Sequence, residues 1–324
     1  MISLGVVGFG FMGSTLSRIV MERLSDRARI AAVCDVDPRA LERARSLGIE
    51  ALYRDLDEML EKESLDAVIV ATPPALHAEQ AIKALDRGLY VLLEKPMAVN
   101  LEQAAEIYRH ARGRLMMGFS LRFHEMYIEL KRLMESELGD PVFQWHIALG
   151  RVPSTPWVAD ERMSGGMINE HAVHVLYVFR WFAGEAREVF ARMWRVSEGI
   201  QIEDNASLTI VHESGAVSLY AQSWSGGHRW RKWGVQCRRG RATFESYLEG
   251  RYTISVGNRV EERVFDKPVE HMYVNEMRYF IDCVENGWRP SPNEVDGLRV
   301  QEIVEAYRIS AMKGQVVKLP LAGV

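Results

Sequence analysis

Three groups of residues have the types and spacings that chemistry requires. The first is Gly8-Phe9-Gly10-Phe11-Met12-Gly13, a G-x-G-x-x-G run, followed 22 residues beyond Gly13 by Asp35. Glycines so placed permit a tight turn and let a pyrophosphate approach the N–H groups of a helix N-terminus, while an acid about 20 residues on can hold ribose hydroxyls. The second is Glu94-Lys95-Pro96, where charge follows directly on the apolar run Tyr90-Val91-Leu92-Leu93. Ligands of open α/β sheets bind at the carboxyl ends of strands, so a lysine there is a site candidate rather than only half of a surface ion pair. The third is Glu170 with His174, on the segment Ser164-Gly165-Gly166-Met167-Ile168-Asn169-Glu170-His171-Ala172-Val173-His174. Residues four apart on a helix share a face, so this acid and this imidazole can point together into a cleft.

The elements that must position these groups alternate in the first 119 residues. Buried strands are expected over 2–7, 30–34, 51–53, 67–70, 90–93 and 115–118, with helices between them, including one over 38–47. Asp55 with Glu58, and Asn100 with Gln103, read as capping boxes that start two of those helices. Strands separated by single helices predict a parallel, doubly wound Rossmann domain over 1–119. The glycine run then lies between a strand and a helix and Asp35 at the end of the next strand. That context favours a dinucleotide site over a structural turn beside an unrelated capping aspartate.

Beyond residue 120 the pattern changes. Strand-like segments over 142–149, 188–196, 206–212, 216–223, 232–238, 242–247 and 251–256 follow one another without intervening helices, so 120–324 is expected to be an α+β domain on a mostly antiparallel sheet. Arg229-Trp230-Arg231-Lys232-Trp233, with Arg238, Arg239 and Arg241 beyond, interleaves bases and aromatics. Alternating strand faces explain it better than a nucleic-acid surface, and contact with an anionic substituent of a small ligand is a further reading.

The chain has 324 residues, 48% hydrophobic and 26% charged, with a net charge of −4. Its length fits two domains, and its slight acidity gives no reason to expect a polyanionic partner. Only eight of the 40 basic residues are lysines, which makes Lys95 at its special position less ordinary. Cys34, Cys237 and Cys283 are odd in number, widely spaced and without a metal-ligand pattern, which suits a reducing compartment. The first residues already read as a strand, and no apolar stretch approaches the ~18 residues that a membrane span needs. A cytoplasmic protein without a metal site is expected.

The glycine loop, Asp35, Ala71-Thr72-Pro73 with His77, Glu94-Lys95-Pro96, and Gly118-Phe119 leading to Arg122-Phe123 together resemble the Gfo/Idh/MocA (glucose–fructose oxidoreductase, inositol dehydrogenase) family. Asp296-Gly297 and the helix through 310–314 extend the resemblance over nearly the whole chain. The resemblance implies an NAD(P)-dependent dehydrogenase acting on a secondary alcohol of a sugar, sugar derivative or cyclitol. It implies cofactor contacts from Gly8, Phe9, Gly10, Phe11, Met12, Gly13, Asp35, Thr72, Pro73, His77, Glu94 and Lys95. Lys95 would touch the substrate hydroxyl and the nicotinamide region, often beside a cis Lys–Pro bond, and an ammonium group suits stabilising charge on the alcohol oxygen. His174 would be the general base, a task that an imidazole with a pKa near 6.5 can perform at neutral pH.

Glu170 stands where the family has aspartate, Ser164 where it has glycine and Tyr177 where a second aspartate is often found, so the bound sugar or the local backbone is expected to differ. Glu170 would orient the histidine or bind a neighbouring hydroxyl, and His171 reads as structural. Arg122, Arg151, Trp157 and Asn169 are weaker candidates for shaping the sugar pocket. Asp35 favours NAD over NADP, although Arg39 is close in sequence. The resemblance also implies a homodimer or homotetramer through the open face of the C-terminal sheet, to which Trp194, Trp224, Trp230 and Trp233 are expected to contribute. Two rivals share the fold: a glycosidase that oxidises transiently with tightly held NAD, and a non-enzymatic NAD-responsive regulator.

Overall fold

Short runs buried on both faces build the first sheet. In the computed structural model, which describes residues 1–246 and 248–321, strands β1 (Ile2–Val7), β2 (Ala28–Cys34), β3 (Leu52–Tyr53), β4 (Ala67–Val70), β5 (Tyr90–Glu94) and β6 (Leu115–Gly118) lie in the order β3-β2-β1-β4-β5-β6. All five pairings are parallel. Every residue of β4 and β6 is buried, as the unbroken apolar runs require. Helices Phe11–Arg23, Pro38–Ser46, Leu56–Lys62, His77–Asp86 and Leu101–Ala111 connect the strands. The carboxylate of Asp55 accepts from the Glu58 N–H and the Asn100 amide oxygen from the Gln103 N–H, both at 2.9 Å, so the expected caps are made. The strand order reverses between β1 and β4, which makes the carboxyl ends of those strands the place for a ligand.

The chain divides into two compact units, Met1–Ser120 with Met272–Leu298, and Leu121–His271 with Arg299–Val324. This corrects the expected division into 1–119 and 120–324, because 272–298 returns to the parallel sheet. Arg27 pairs with Asp282 at 2.8 Å, and the Met117 N–H donates to the Pro292 carbonyl at 3.0 Å. Gly297 fits there because a Cβ would lie 2.7 Å from the sulfur of Met97 and 2.9 Å from that of Met117. The periodicity of a helix shows that it has a buried face but not which sheet covers it, so the return was invisible in sequence.

The second unit is built on β7 (Pro141–Arg151), β8 (Ala186–Trp194), β9 (Asn205–His212), β10 (Val217–Ser223), β11 (Ser225–Cys237), β12 (Gly240–Phe244), β13 (Gly250–Val256), β14 (Arg259–Phe265) and β15 (Val317–Lys318). Their order is β14-β13-β12-β11-β7-β10-β9-β8-β15, antiparallel throughout except for β7 with β10. β14 was not expected, because Arg259, Glu261, Glu262 and Arg263 hide it among charges that suit an edge strand. The strand expected over 242–247 ends at Phe244, and Tyr247 lies outside the described residues.

Alternation divides this sheet into two faces. Gln144, His146 and Ala148 of β7 and Ser218, Tyr220 and Gln222 of β10 are buried, and the Gln144 amide donates to the Phe179 carbonyl of helix Val173–Ala183 at 2.8 Å. On the other face Phe143, Leu149, Phe190, Trp194 and Trp230 are exposed. Trp224 and Trp233, expected at an interface, are instead buried. Trp233 stacks against Phe244 at 3.8 Å and Tyr127 at 4.8 Å, because its register places it with the inward set.

Candidate functional site

In the first unit the glycine loop is shaped by contacts that tolerate no Cβ at two of its three glycines. A Cβ on Gly13 would lie 1.9 Å from the Gly8 carbonyl oxygen, and Gly8, at φ +86°, would place one 2.8 Å from the Ala71 backbone. Gly10 differs, because nothing lies within 4 Å of where its Cβ would be. It is the N-cap of helix Phe11–Arg23 and has no capping side chain. This is the cradle that a pyrophosphate needs, open space facing unsatisfied helix N–H groups. The Asp35 carboxylate accepts from the Phe9 N–H at 2.6 Å and from the Asp37 N–H at 2.8 Å, so the acid at the end of β2 is fixed against the loop. The residues fit a dinucleotide. Phe11 and Met12 begin the helix, with Phe11 strongly exposed. Arg43, which the sequence reading missed, donates to the Phe9 carbonyl at 3.0 Å from the helix that follows Asp35.

His77 departs from its expected part. Its ring is fully buried, with Nδ1 2.8 Å from the Pro96 carbonyl and Nε2 2.8 Å from the Thr72 carbonyl. Burial holds its pKa down to about 4, against a smaller raising effect of those carbonyls. The buried imidazole, wedged between two main-chain segments, fixes the Thr72-Pro73 turn against Pro96; in its neutral form its one N–H donates to one of these two carbonyls. The Thr72 hydroxyl donates to Gln80 at 2.6 Å, and the Lys95–Pro96 bond is cis.

Glu94 is buried at the end of β5, and burial pushes its carboxyl up to about 7 against the lowering effect of Lys95. Gly118 on β6 leaves room for it, since a Cβ there would sit 3.2 Å from the Glu94 carboxyl. Glu276, which the sequence reading missed, is fully buried with no hydrogen-bond partner for either oxygen among the described residues, and burial with the field of Glu94 raises its pKa well above the ordinary value. Tyr273 is raised by burial first, then by Glu94 and Glu276. A signal was present: Glu276 falls four residues from both Met272 and Phe280, on the apolar face of helix Glu270–Asn286.

In the second unit the segment bearing Glu170 and His174 is not one regular helix. Residues Ile168–Ala172 form a π turn that passes into the α-helix Val173–Ala183, so the two side chains flank a junction of the kind often met at functional sites. Both are partly exposed. Glu170 makes an ion-pair contact with His171, Oε2 to Nδ1 at 3.9 Å. Arg231 donates to His171 Nε2 at 3.2 Å, which occupies that lone pair and leaves His171 a structural part.

The loop before the π turn is held from beneath. Gly166, at φ +90°, packs its α-carbon against Glu203, whose carboxylate a Cβ would meet at 2.8 Å. Burial raises the pKa of Glu203, opposed by backbone N–H groups that include that of Ile168. Asn169, expected near substrate, is fully buried. Its amide donates to the Ser164 carbonyl at 2.8 Å and accepts from Gln301 at 2.9 Å, so it supports the loop and does not face a ligand. Arg122 stacks over Trp181 at 4.1 Å, Trp157 is half-buried in a 3₁₀ turn, and Arg151 ends β7 in solvent. Among the described residues no cluster of His, Cys, Asp and Glu could hold a metal, and no helix is long and apolar enough to cross a membrane.

Comparison with known proteins agrees with this arrangement. A model of the oxidoreductase family with an NAD-binding Rossmann fold (GFO_IDH_MocA) matches residues 2–119, and one of the GFO/IDH/MocA C-terminal domain matches residues 127–243. The D-apiose dehydrogenase of Paraburkholderia graminis is 27% identical over 97% of this chain and 88% of its own. The D-xylose 1-dehydrogenase (NADP(+)) 2 of Haloferax volcanii is 27% identical over 98% of each. The structure of a levoglucosan dehydrogenase in complex with NADH and levoglucosan superposes with a TM-score of 0.88 at 20% identity, over 99% of this chain and 100% of that one, and shares the fold. With its parallel NAD-binding unit, its antiparallel partner sheet and both family domains matched, the chain belongs to the Gfo/Idh/MocA family of NAD-dependent oxidoreductases.

Proposed function

We propose that this enzyme oxidises a secondary alcohol of a sugar, sugar derivative or cyclitol, with His174 as general base and Lys95 as the group that holds the alcohol oxygen. The observation that supports it most is the open glycine cradle tied to Asp35 in the same domain as Lys95, which directly follows the carboxyl end of a buried strand. When bound, NAD supplies a two-electron acceptor for the hydride leaving the carbinol carbon. Gly8, Gly10 and Gly13 shape its pyrophosphate site, and Asp35 holds the adenosine ribose.

The alcohol proton passes to His174, the carbinol carbon becomes a carbonyl, and the ammonium of Lys95 stabilises negative charge on its oxygen. Glu170 orients the base or binds a neighbouring hydroxyl. The buried Glu94 and Glu276 carry weight here as well. Burial favours the protonated form of Glu94, which weakens its hold on the charge of the neighbouring Lys95. Sugar relatives support the substrate class.

The finer readings are a homodimer or homotetramer through the exposed face of the nine-stranded sheet, and a cytoplasmic location, supported by three cysteines that are all free and buried. Incubation with NAD and a panel of sugars, sugar acids and cyclitols, read as NADH absorbance, tests the activity. Stoichiometric NADH accumulation with one of them is expected. Turnover of a glycoside without net NADH would instead identify a glycosidase that oxidises transiently.

A further inference from the structure

A cavity of about 110 Å3 opens within the second unit where the ends of β7 and β10 meet β11, beside the turn that carries Glu170 and His171. Arg151, Arg229, Arg231, His171, Gln222 and Trp224 line it, and no aspartate or glutamate does. Three guanidinium groups thus line it, with no carboxylate among the described lining residues. Arg151 and Arg229 have no ion-pair partner among the described residues.

Gln222 points the same way. It is only 4% exposed, its amide oxygen accepts from the Tyr220 hydroxyl, and its amide nitrogen has no acceptor. A buried donor left unmade is costly unless an acceptor arrives from outside the chain. The local potential is positive inside the sheet as well, since burial first and then Arg231 and His171 keep His146 neutral. Trp224 supplies an apolar wall, with its ring edge-on to His171 at 5.8 Å.

We propose that this cavity binds an anionic substituent, a carboxylate or a phosphate ester, on the sugar that the enzyme oxidises. The proposal rests on the dehydrogenase reading for the word sugar, and on the three guanidinium groups and the Gln222 N–H for the word anionic. Planar guanidinium forks match the paired oxygens of either group, and an N–H of Gln222 completes the set.

The test uses the full chain saturated with NAD, so that the cofactor site cannot take up the probe. Inorganic phosphate and malonate are titrated separately by calorimetry, which distinguishes the two anion chemistries. Saturable binding of at least one is expected, weakened about tenfold or more in Arg151→Ala and Arg229→Ala. Gln222→Glu, which keeps the size and reverses the character of the donor, should abolish it. In kinetics, a hexuronate or hexose 6-phosphate should exceed its neutral parent hexose in kcat/KM, with that preference lost in Arg229→Ala and the Kd for NAD unchanged. Absence of saturable binding for both probes, or binding in all three variants equal to wild type, overturns the proposal, and circular dichroism shows whether each variant is folded. If the anions bind as expected while no sugar of the panel yields NADH, the oxidation reading fails and the anion site stands. If a neutral sugar reduces NAD while both titrations are silent, the reverse holds.

Discussion

Asp35 Oδ2 accepts the Phe9 N–H at 2.6 Å, which joins the acid at the end of the second strand to the glycine loop 26 residues earlier. One carboxylate therefore shapes the loop, and in the proposed site it also sets the charge that an adenosine ribose meets. A 2′-phosphate in that place would put like charges together at a cost of up to several kcal/mol. The enzyme should show a kcat/KM for NAD at least tenfold above that for NADP, and Asp35→Ser should narrow the gap. Equal or better kcat/KM with NADP in steady-state kinetics would overturn this role of Asp35; Arg43, beside the same loop, would then be the residue to examine.

The three glycines of the loop should separate on substitution. Gly10→Ala adds a methyl to open space at an ordinary φ of −74°, so Tm should stay within a few degrees while the Kd for NAD rises tenfold or more. Gly13→Ala drives its methyl into the Gly8 carbonyl and should unfold or strongly destabilise the domain. Paired thermal melts and NAD titrations decide it, and tight NAD binding by folded Gly10→Ala would show that the pyrophosphate lies elsewhere.

Much of this was legible in the sequence because it rests on short-range pattern. The parallel strands announce themselves as unbroken apolar runs, and Gly8, Gly10, Gly13 and Asp35 fall at spacings fixed by one strand–helix–strand unit. What was not legible depends on long-range packing. Glu276 joins Glu94 only because a helix from the end of the chain returns to the first sheet, and Trp233 turns inward through a register that depends on Phe244 and Tyr127. Asn169 lies next to Glu170 and looked like a ligand residue, yet a bond from Gln301, 132 residues away, holds it in the core.

The two buried carboxyls give stability a pH dependence of known sign. Burial raises Glu94 from 4.5 to about 7, and burial with the field of Glu94 raises Glu276 well above its ordinary value, so the folded chain holds protons that the unfolded chain has released. The stability they contribute is fully present below about pH 4.5 and declines as pH rises through about 7. Glu276→Gln should flatten that decline in urea unfolding measured from pH 5 to 8. A variant whose stability falls with pH as steeply as that of wild type would show that Glu276 is not titrating there.

The exposed face of the nine-stranded sheet predicts self-association. Phe143, Leu149, Phe190, Trp194 and Trp230 lie on it in solvent, an apolar area of the kind that monomers seldom expose. Light scattering at micromolar concentration should report a dimer or tetramer, and Trp230→Asp with Trp194→Asp should shift it toward monomer. A wild-type monomer under those conditions would remove the idea.

The central claim is that Lys95 and His174 serve the same proton transfer on one substrate hydroxyl. Loss of a positioned general base costs ~10²–10⁴ in rate, and loss of a donor to a developing oxyanion costs about as much. Groups that act on one step do not lose additively. The decisive measurement is kcat on the identified substrate for Lys95→Met, His174→Ala and the double variant, each shown by titration to bind NAD. Each single variant should fall by at least ~10²-fold, with the double little worse than the poorer single. A single variant that keeps most of its wild-type kcat would contradict the mechanism, whatever the fold and the cofactor.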